Sequence, residues 1–154
     1  MISYCLVTLD EDYKIAKELF AEYAASIAIN LEFQRFDEEL LTLKEMYSSP
    51  SGGIILVKEA GQVLGCVAIR KISNTIGELK RMYMKPAHQN KGLGKILLNK
   101  ALDLAKTCNY NTVQLDTLAE MISAINLYKQ AGFYEIPPYY FNPISTVIYL
   151  EKQL

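Results

Sequence analysis

The segment from Gln89 to Lys95 combines two glycines and two lysines just before a predicted helix. It reads Gln89-Asn90-Lys91-Gly92-Leu93-Gly94-Lys95. Two glycines one residue apart let the main chain approach a ligand closely, because no side chain intervenes. The free amide groups and the positive end of the following helix favour phosphate oxygens. The segment therefore predicts a phosphate-binding turn, and a glycine-rich helix entry that binds no ligand is the alternative.

Two well-known phosphate-binding motifs do not fit this segment. A P-loop requires G-x-x-x-x-G-K followed by Ser or Thr, and this pattern does not occur in the chain. A dinucleotide fingerprint requires a third glycine, but Leu97 stands at that position. The turn is therefore a candidate for a phosphate group presented by a different kind of ligand.

The elements that must position this turn follow from the hydrophobic pattern. Strands are predicted at residues 3–8, 54–57, 63–69, 76–84, 112–117, 133–136 and 144–150. Helices are predicted from an N-cap at Asp10 to Ile27 and at residues 37–46, 92–107 and 122–130, with Gly132 ending the last. This order predicts an α/β (α+β) fold in which a mixed sheet carries helices on its faces.

Three motifs in the second half of the chain resemble signatures of the GNAT superfamily of N-acetyltransferases. The Q-x-x-G-x-G pattern at 89–94 resembles the acyl-CoA-binding signature of that family. The run E-L-K-R-M-Y-M-K-P at 78–86 is similar to the strand before it, and A-I-N-L-Y-K-Q-A-G-F at 124–133 resembles a later signature. The resemblance implies one domain over 1–154, with a twisted, mostly antiparallel mixed sheet of about seven strands and about four helices.

The resemblance implies that acetyl-CoA is the cosubstrate. The turn would hold the pyrophosphate, and the pantetheine arm would lie where strand 76–84 separates from strand 112–117. A bulge there would leave main-chain groups without partners, and the pantetheine amides could supply them. The residues so predicted to bind the cofactor are Met82, Tyr83, Met84, Gln89, Asn90, Lys91, Gly92, Leu93, Gly94 and Lys95.

Tyr128 and Glu78 are the catalytic residues that the resemblance implies. Tyr128 would be the general acid that protonates the departing thiolate, and a core aromatic residue is the alternative. Glu78 would be the general base that takes a proton from the acceptor amine. A solvated strand residue paired with a lysine is the alternative, and many members use a water or a main-chain carbonyl instead. Met121 departs from the family pattern, because many members carry an asparagine there that reaches the pantetheine.

The acceptor pocket is expected to come from the first two helices and their link, 31–36, together with the aromatic loop 139–142. Arg35 or Arg70 could anchor an amine that also carries a carboxylate, because a guanidinium offers two parallel N–H donors. Ordinary surface salt bridges are the alternative for both arginines. Lys80 is expected to be a solvated charge.

The composition limits the partners and the compartment. The chain has 154 residues and a formal charge of −1, which argues against a nucleic-acid partner. It lacks an apolar run of the ~20 residues that span a bilayer, and it lacks a basic signal-peptide start, so we expect no membrane contact and a cytoplasmic location. A single histidine and three separated cysteines argue against a metal site.

The function that follows is acetyl transfer to a primary amine by direct attack on the thioester, with a small molecule as the expected acceptor. One alternative is an N-acetyltransferase that acts on protein lysines or N-termini. Another is a non-catalytic acyl-CoA-binding regulatory module. A homodimer is compatible with each of these readings.

Overall fold

The structure, a computed structural model, describes residues 1–27 and 35–154. Its strands are β1 Ile2–Leu6, β2 Gly53–Glu59, β3 Gln62–Lys71, β4 Ile76–Met84, β5 Thr112–Leu118, β6 Tyr134–Ile136 and β7 Val147–Gln153. Its helices are α1 Asp10–Ser26, α2 Phe36–Leu41, α3 Leu43–Met46, α4 Leu93–Thr107 and α5 Ile122–Gln130, with a short 3₁₀ helix at Pro86–His88. No helix in these ranges is both long enough and apolar enough to cross a membrane.

The seven strands form one sheet in the order β1-β2-β3-β4-β5-β7-β6. The β4–β5 pair is parallel, and the other neighbouring pairs are antiparallel. The predicted fold class, a mixed and mostly antiparallel sheet with flanking helices, is confirmed. The described residues contain five α-helices rather than about four, because Thr42 interrupts the predicted helix 37–46. The Thr42 hydroxyl donates to the carbonyl of Glu38 at 2.8 Å and ends α2.

Two other boundaries differ from the predicted ones. Asp10 is the first residue of α1 rather than its N-cap, because its carboxylate accepts a hydrogen bond from Lys44 at 2.8 Å instead of capping the helix. The last strand begins at Val147, because Asn142 Oδ1 accepts from the amide of Ile144 at 2.9 Å and keeps this segment in a loop. Residues 31–34 of the expected acceptor pocket lie outside the described residues.

Helices cover both faces of the central strands. Alternate residues of β3 point to opposite sides. Val67 and Ile69 pack in the core beneath α4, whereas Cys66 and Ala68 pack in the core beneath α1 and α3. This double coverage explains why β2 and β3 read as continuous apolar runs.

A bulge in β4 interrupts its pairing with β3. Cys66 pairs with Tyr83 and Ala68 with Lys80, so β4 contains one more residue than β3 over this stretch. Arg81 lies at the bulge with a φ of 57°, in the left-handed region. This conformation costs a residue with a side chain about 1–2 kcal/mol. The bulge therefore needs a compensating interaction.

That interaction is a buried ion pair between the bulge and α2. Arg81 Nε donates to Glu39 Oε2 at 2.9 Å, and Arg81 Nη2 donates to Glu39 Oε1 at 3.0 Å. The guanidinium also lies 5.1 Å from the centre of the Phe36 ring. Both charged side chains are almost fully buried. Removing one partner would leave the other charge buried and uncompensated.

We therefore expect Glu39→Gln to lower the free energy of unfolding by about 3–5 kcal/mol, the usual cost of breaking a buried pair. Glu38→Gln on the same helix is the matched control, because Glu38 pairs with Arg35 at the surface. Its expected loss is below about 1 kcal/mol. Urea unfolding measures both values. Equal losses for the two variants would contradict the stabilising role of the Arg81–Glu39 pair.

Candidate active site

The site is built where β4 and β5 separate. Their parallel ladder runs from Ile76 opposite Thr112 to Glu78 opposite Gln114 and ends there. Within residues 1–27 and 35–154, no strand pairs with β4 on this side beyond Glu78. The main chain of residues 79–84 therefore borders an opening in the sheet, where its polar groups can bond a ligand.

The opening leads into a cavity of about 840 Å³. Residues 79–84 of β4 and residues 116–118 of β5 line its sides, and the starts of α4 and α5 line one end. Tyr23 of α1 and Ile27 just after it, together with Asn142 and Ile144, line the remainder of the cavity. Ligand sites of small molecules typically have volumes of about 300–1,000 Å³.

The start of α4 offers uncapped main-chain donors to this cavity. No side chain caps the helix, and the first amide groups of a helix lack intrahelical partners. Gly92 has a φ of 79°, and a Cβ added there would meet nothing within 4 Å. A Cβ added at Gly94 would meet only Leu127 Cδ2 at 3.5 Å and Met82 Cε at 3.7 Å. The space in front of this helix is therefore open to an anion.

Eight of the ten predicted cofactor-binding residues line the cavity: Met82, Tyr83, Met84, Gln89, Asn90, Gly92, Gly94 and Lys95. Lys91 and Leu93 do not belong to the lining, and Leu93 is buried in the core beneath α4. The Gln89 side chain donates to the carbonyl of Met84 at 2.9 Å. This bond ties the turn to the end of β4 and thereby fixes the two parts of the cavity relative to each other.

Tyr128 lies on α5 with a buried ring that lines the cavity. The ring packs edge-on against Phe133, with 5.8 Å between their centres. Burial is the main cause that raises the pKa of Tyr128, and the neighbouring Tyr23 and Asp116 raise it further. The hydroxyl therefore keeps its proton at neutral pH, as a proton donor must.

Glu78 lies beside the cavity in a buried network rather than in its lining. Its Oε1 accepts from Arg70 Nε at 2.7 Å, and its Oε2 accepts from the Tyr139 hydroxyl at 2.6 Å. Burial acts to raise the pKa of Glu78, but the charges of Lys80 and Arg70 and these hydrogen bonds outweigh it and lower the pKa. Glu78 is therefore held as a carboxylate, and its role as the base stays a prediction.

The expectation for Lys80 is wrong. This lysine is 6% exposed, lines the cavity and has its Nζ 3.9 Å from Glu78 Oε1. Burial is the first cause of its lowered pKa. The prediction of a solvated lysine fails because the sequence of β4 does not show that the Lys80 side chain is buried beside the Glu78 carboxylate.

The two arginines expected to bind an acceptor carboxylate are placed elsewhere. Arg70 is paired with the buried Glu78, and Arg35 forms an exposed pair with Glu38. Neither arginine belongs to the cavity lining. The structure therefore gives the carboxylate-anchor hypothesis no support.

Asp116 and Tyr23 are cavity-lining residues that the sequence analysis did not select. Asp116 Oδ2 accepts from the Tyr140 hydroxyl at 2.6 Å. The polar positions Gln114 and Asp116, which alternate with apolar ones along β5, were a usable signal for a polar face. Tyr23 gave no such signal, because it falls on the apolar stripe of α1.

The sequence comparisons agree with this geometry. Residues 14–133 match the profile of the Acetyltransferase (GNAT) family. The chain belongs to this family. An uncharacterised N-acetyltransferase of Schizosaccharomyces pombe is 34% identical to this acetyltransferase over 155 residues, which cover 99% of this chain and 95% of that protein.

Two solved structures resemble the fold of this acetyltransferase. An acetyltransferase from Streptococcus agalactiae has a TM-score of 0.81 at 18% identity, covering 99% of this chain and 98% of the other. A spermidine N-acetyltransferase from Vibrio cholerae in complex with CoA and spermine has a TM-score of 0.71 at 17% identity, covering 99% and 95%. At these identities the likeness establishes the fold.

The family uses acetyl-CoA as its cosubstrate, and the residues of this acetyltransferase fit such a group. The uncapped start of α4 suits the pyrophosphate, and the unpaired side of β4 suits an amide-rich arm. No group of three metal-ligating side chains occurs in the part of the chain that the structure describes.

Gly94→Val tests the use of the open space at α4. Filling that space should raise the dissociation constant of CoA at least tenfold, about 1.4 kcal/mol. The apo protein should tolerate the new Cβ, because it meets only ordinary contacts. Asn99→Val, at an exposed position of the same helix, controls for the helix propensity of valine. Calorimetry that finds the same CoA affinity in both variants would contradict this position of the pyrophosphate.

Proposed function

We propose that this acetyltransferase transfers the acetyl group of acetyl-CoA to the primary amine of a small molecule, by direct attack of the amine on the thioester. The cavity at the β4–β5 opening is the observation that carries the proposal. Its lining combines uncapped helix amides, a protonated tyrosine and a strand edge that pairs with no other strand among the residues that the structure describes. These groups match the parts of one elongated acyl donor.

The chain would hold the donor mainly through its main chain. Amides from Gln89 to Lys95 would bind the pyrophosphate, and main-chain groups of Met82, Tyr83 and Met84 would bond the pantetheine arm. Bound acetyl-CoA would supply the acetyl group as an activated thioester. An N–H group at the β4 bulge would stabilise the negative charge that grows on the carbonyl oxygen.

Tyr128 would act as the general acid. Its buried hydroxyl is protonated through the neutral range, as a phenol with an ordinary pKa near 10 already is, and burial, Tyr23 and Asp116 raise that pKa further. The hydroxyl oxygen would donate this proton to the departing thiolate, a base with an ordinary pKa near 8.5. In the alternative, Tyr128 is only a core aromatic residue, and its hydroxyl takes no part in turnover.

Glu78 is the proposed general base, and its surroundings define how it would work. Both carboxylate oxygens already accept hydrogen bonds, and the residue lies outside the cavity lining. A water would be needed to carry the proton from the acceptor amine to this carboxylate. The family's other solution, a main-chain carbonyl with a water, is the alternative base.

The shape of the acceptor side supports a small amine. Ser26 at the end of α1 and the following Ile27 line it on one side, and Asn142 and Ile144 line it on the other. A walled pocket favours a compact substrate over a protein surface. The similar fold whose structure contains spermine is that of a small-amine N-acetyltransferase. Protein lysines or N-termini remain the second class of acceptor.

A panel of acceptors tests the function directly. Small amines, amino acids, and peptides with a lysine or a free N-terminus are incubated with acetyl-CoA, and the products are identified by mass. We expect acetylated small amines at higher kcat/KM than any peptide. Acetylation confined to peptides would replace the small-molecule acceptor by the protein one.

Tyr128→Phe should lower kcat by about 10²–10⁴, because it removes the proton donor and keeps the ring. The affinity for CoA should stay within about twofold, since the hydroxyl is needed only as the thiolate forms. Tyr134→Phe is the control, because Tyr134 is exposed and lies outside the cavity lining. A Tyr128→Phe enzyme with the kcat of the control would return Tyr128 to the core-aromatic reading.

Glu78→Gln tests the base through the pH–rate profile. A general base must be ionised to accept a proton. Because the pKa of Glu78 is lowered from its ordinary value of 4.5, the acidic limb of the pH–rate profile should lie below pH 4.5. The variant should lose about 10²–10⁴ in kcat near neutral pH. Glu151→Gln is the control, because Glu151 also accepts hydrogen bonds but lies on β7 outside the lining.

The same lowered pKa links Glu78 to stability. The contribution of the Glu78 carboxylate to the free energy of unfolding is complete above the pKa that Glu78 has in the unfolded chain. It is lost as the pH falls through the lower pKa that Glu78 has in the folded protein. Unfolding must therefore be followed alongside the rate at each pH. Full activity of folded Glu78→Gln would exclude Glu78 as the base.

A further inference from the structure

Two consecutive tyrosines reach across the opening between β4 and β5. The Tyr139 hydroxyl donates to Glu78 Oε2 on β4 at 2.6 Å, and the Tyr140 hydroxyl donates to Asp116 Oδ2 on β5 at 2.6 Å. We name these four residues the tyrosine clasp. Residues 137–146, which carry the two tyrosines, are named the clasp loop.

The clasp lies just past the end of the pairing between β4 and β5. Glu78 opposite Gln114 is the last pair of the β4–β5 ladder, and Asp116 follows two residues later on β5. The two strands have no ladder bonds at this point. The clasp therefore connects the separated strands through side chains, just past the point where main-chain pairing ends.

The chemistry of the clasp makes it strong. A hydroxyl that donates to a carboxylate forms a bond about twice as strong as one between neutral groups. Burial, first, and then the adjacent carboxylates raise the pKa of both Tyr139 and Tyr140, so both remain donors. Arg70 Nε bonds the second oxygen of Glu78 and keeps this acceptor charged.

The clasp continues into the cavity wall. The rings of Tyr139 and Tyr140 each pack on Tyr149 of β7, with 5.3 and 5.6 Å between centres. Asn142 Nδ2 donates to the Tyr140 hydroxyl at 3.2 Å, and Asn142 Oδ1 accepts from the amide of Ile144 at 2.9 Å. Asn142 Nδ2 also donates to Asp116 Oδ2 at 3.5 Å. Asn142 and Ile144 line the cavity, so the Tyr140 hydroxyl and Asp116 together hold this wall.

We propose that Tyr139 and Tyr140 are positioning residues, which hold the clasp loop across the β4–β5 opening and thereby set the acceptor side of the cavity. Neither tyrosine belongs to the cavity lining. Tyr140 acts through its hydrogen bond with Asn142, and Tyr139 acts on Tyr140 through the contact between their rings. The kinetic consequence rests on the proposed function, because it concerns the binding of an amine. The structural consequence, an ordered clasp loop, does not.

The experiment compares Tyr139→Phe, Tyr140→Phe and the double variant with Tyr134→Phe. The control removes the same kind of bond, because the exposed Tyr134 donates to Glu151 Oε2 at 2.7 Å. Neither of these two residues lines the cavity. Hydrogen exchange of the Ile144 amide reports the order of the clasp loop. Acceptor KM, kcat and the dissociation constant of CoA report its effect on the site.

Loss of a hydrogen bond to a charged group predicts that the Ile144 amide exchanges about tenfold faster in Tyr140→Phe and faster still in the double variant. Acceptor KM should rise at least about fivefold while CoA affinity stays within about twofold. The control should match the wild type in every readout. Where the double variant does not fold, the two single variants decide.

Unchanged exchange at Ile144 in both single variants would overturn the proposal, and so would an acceptor KM equal to that of the control. A wild-type enzyme that acetylates no amine would instead refute the proposed function. In that case the exchange of Ile144 alone still decides whether the clasp orders its loop. The two failures are therefore distinguishable.

Discussion

The loss of pairing on one side of β4 is the constraint on which the rest of this acetyltransferase depends. A buried strand edge must find partners for its amide and carbonyl groups. Here the ladder to β5 stops at Glu78, and the following residues border the cavity. The edge therefore favours a ligand that carries amides of its own, and the start of α4 beside it favours the charged end of the same ligand.

Strand β4 and helix α2 also place several charged side chains inside the protein. Glu39, Glu78 and Arg81 are all buried, and each has a charge partner or a hydrogen-bond donor. In the described part of the chain, the Tyr47 hydroxyl is the one buried side-chain polar atom without a hydrogen-bond partner. Because each of these charges has a partner, removing a single partner would leave an uncompensated charge inside the protein.

The sequence predicted those features that depend on neighbours along the chain. The glycine turn, the β4 bulge region and the helix that carries Tyr128 were found from short motifs, and short apolar segments bounded by turn residues predicted most strands. The sequence could not predict contacts between distant residues. Arg81 and Glu39 are 42 positions apart, and Tyr139 and Glu78 are 61 apart. The side-chain connections across the opening follow from such contacts, so local patterns contain no signal for them.

The geometry of Arg81 also restricts how this protein can change over generations. A glycine at position 81 would relax the left-handed backbone but would leave the Glu39 carboxylate buried without its partner. A neutral residue at position 39 would likewise leave the Arg81 guanidinium buried without its charge partner. Each single substitution is therefore harmful, whereas a double substitution avoids both uncompensated charges. Positions 39 and 81 form one epistatic unit, which lineages are expected to keep or to replace together.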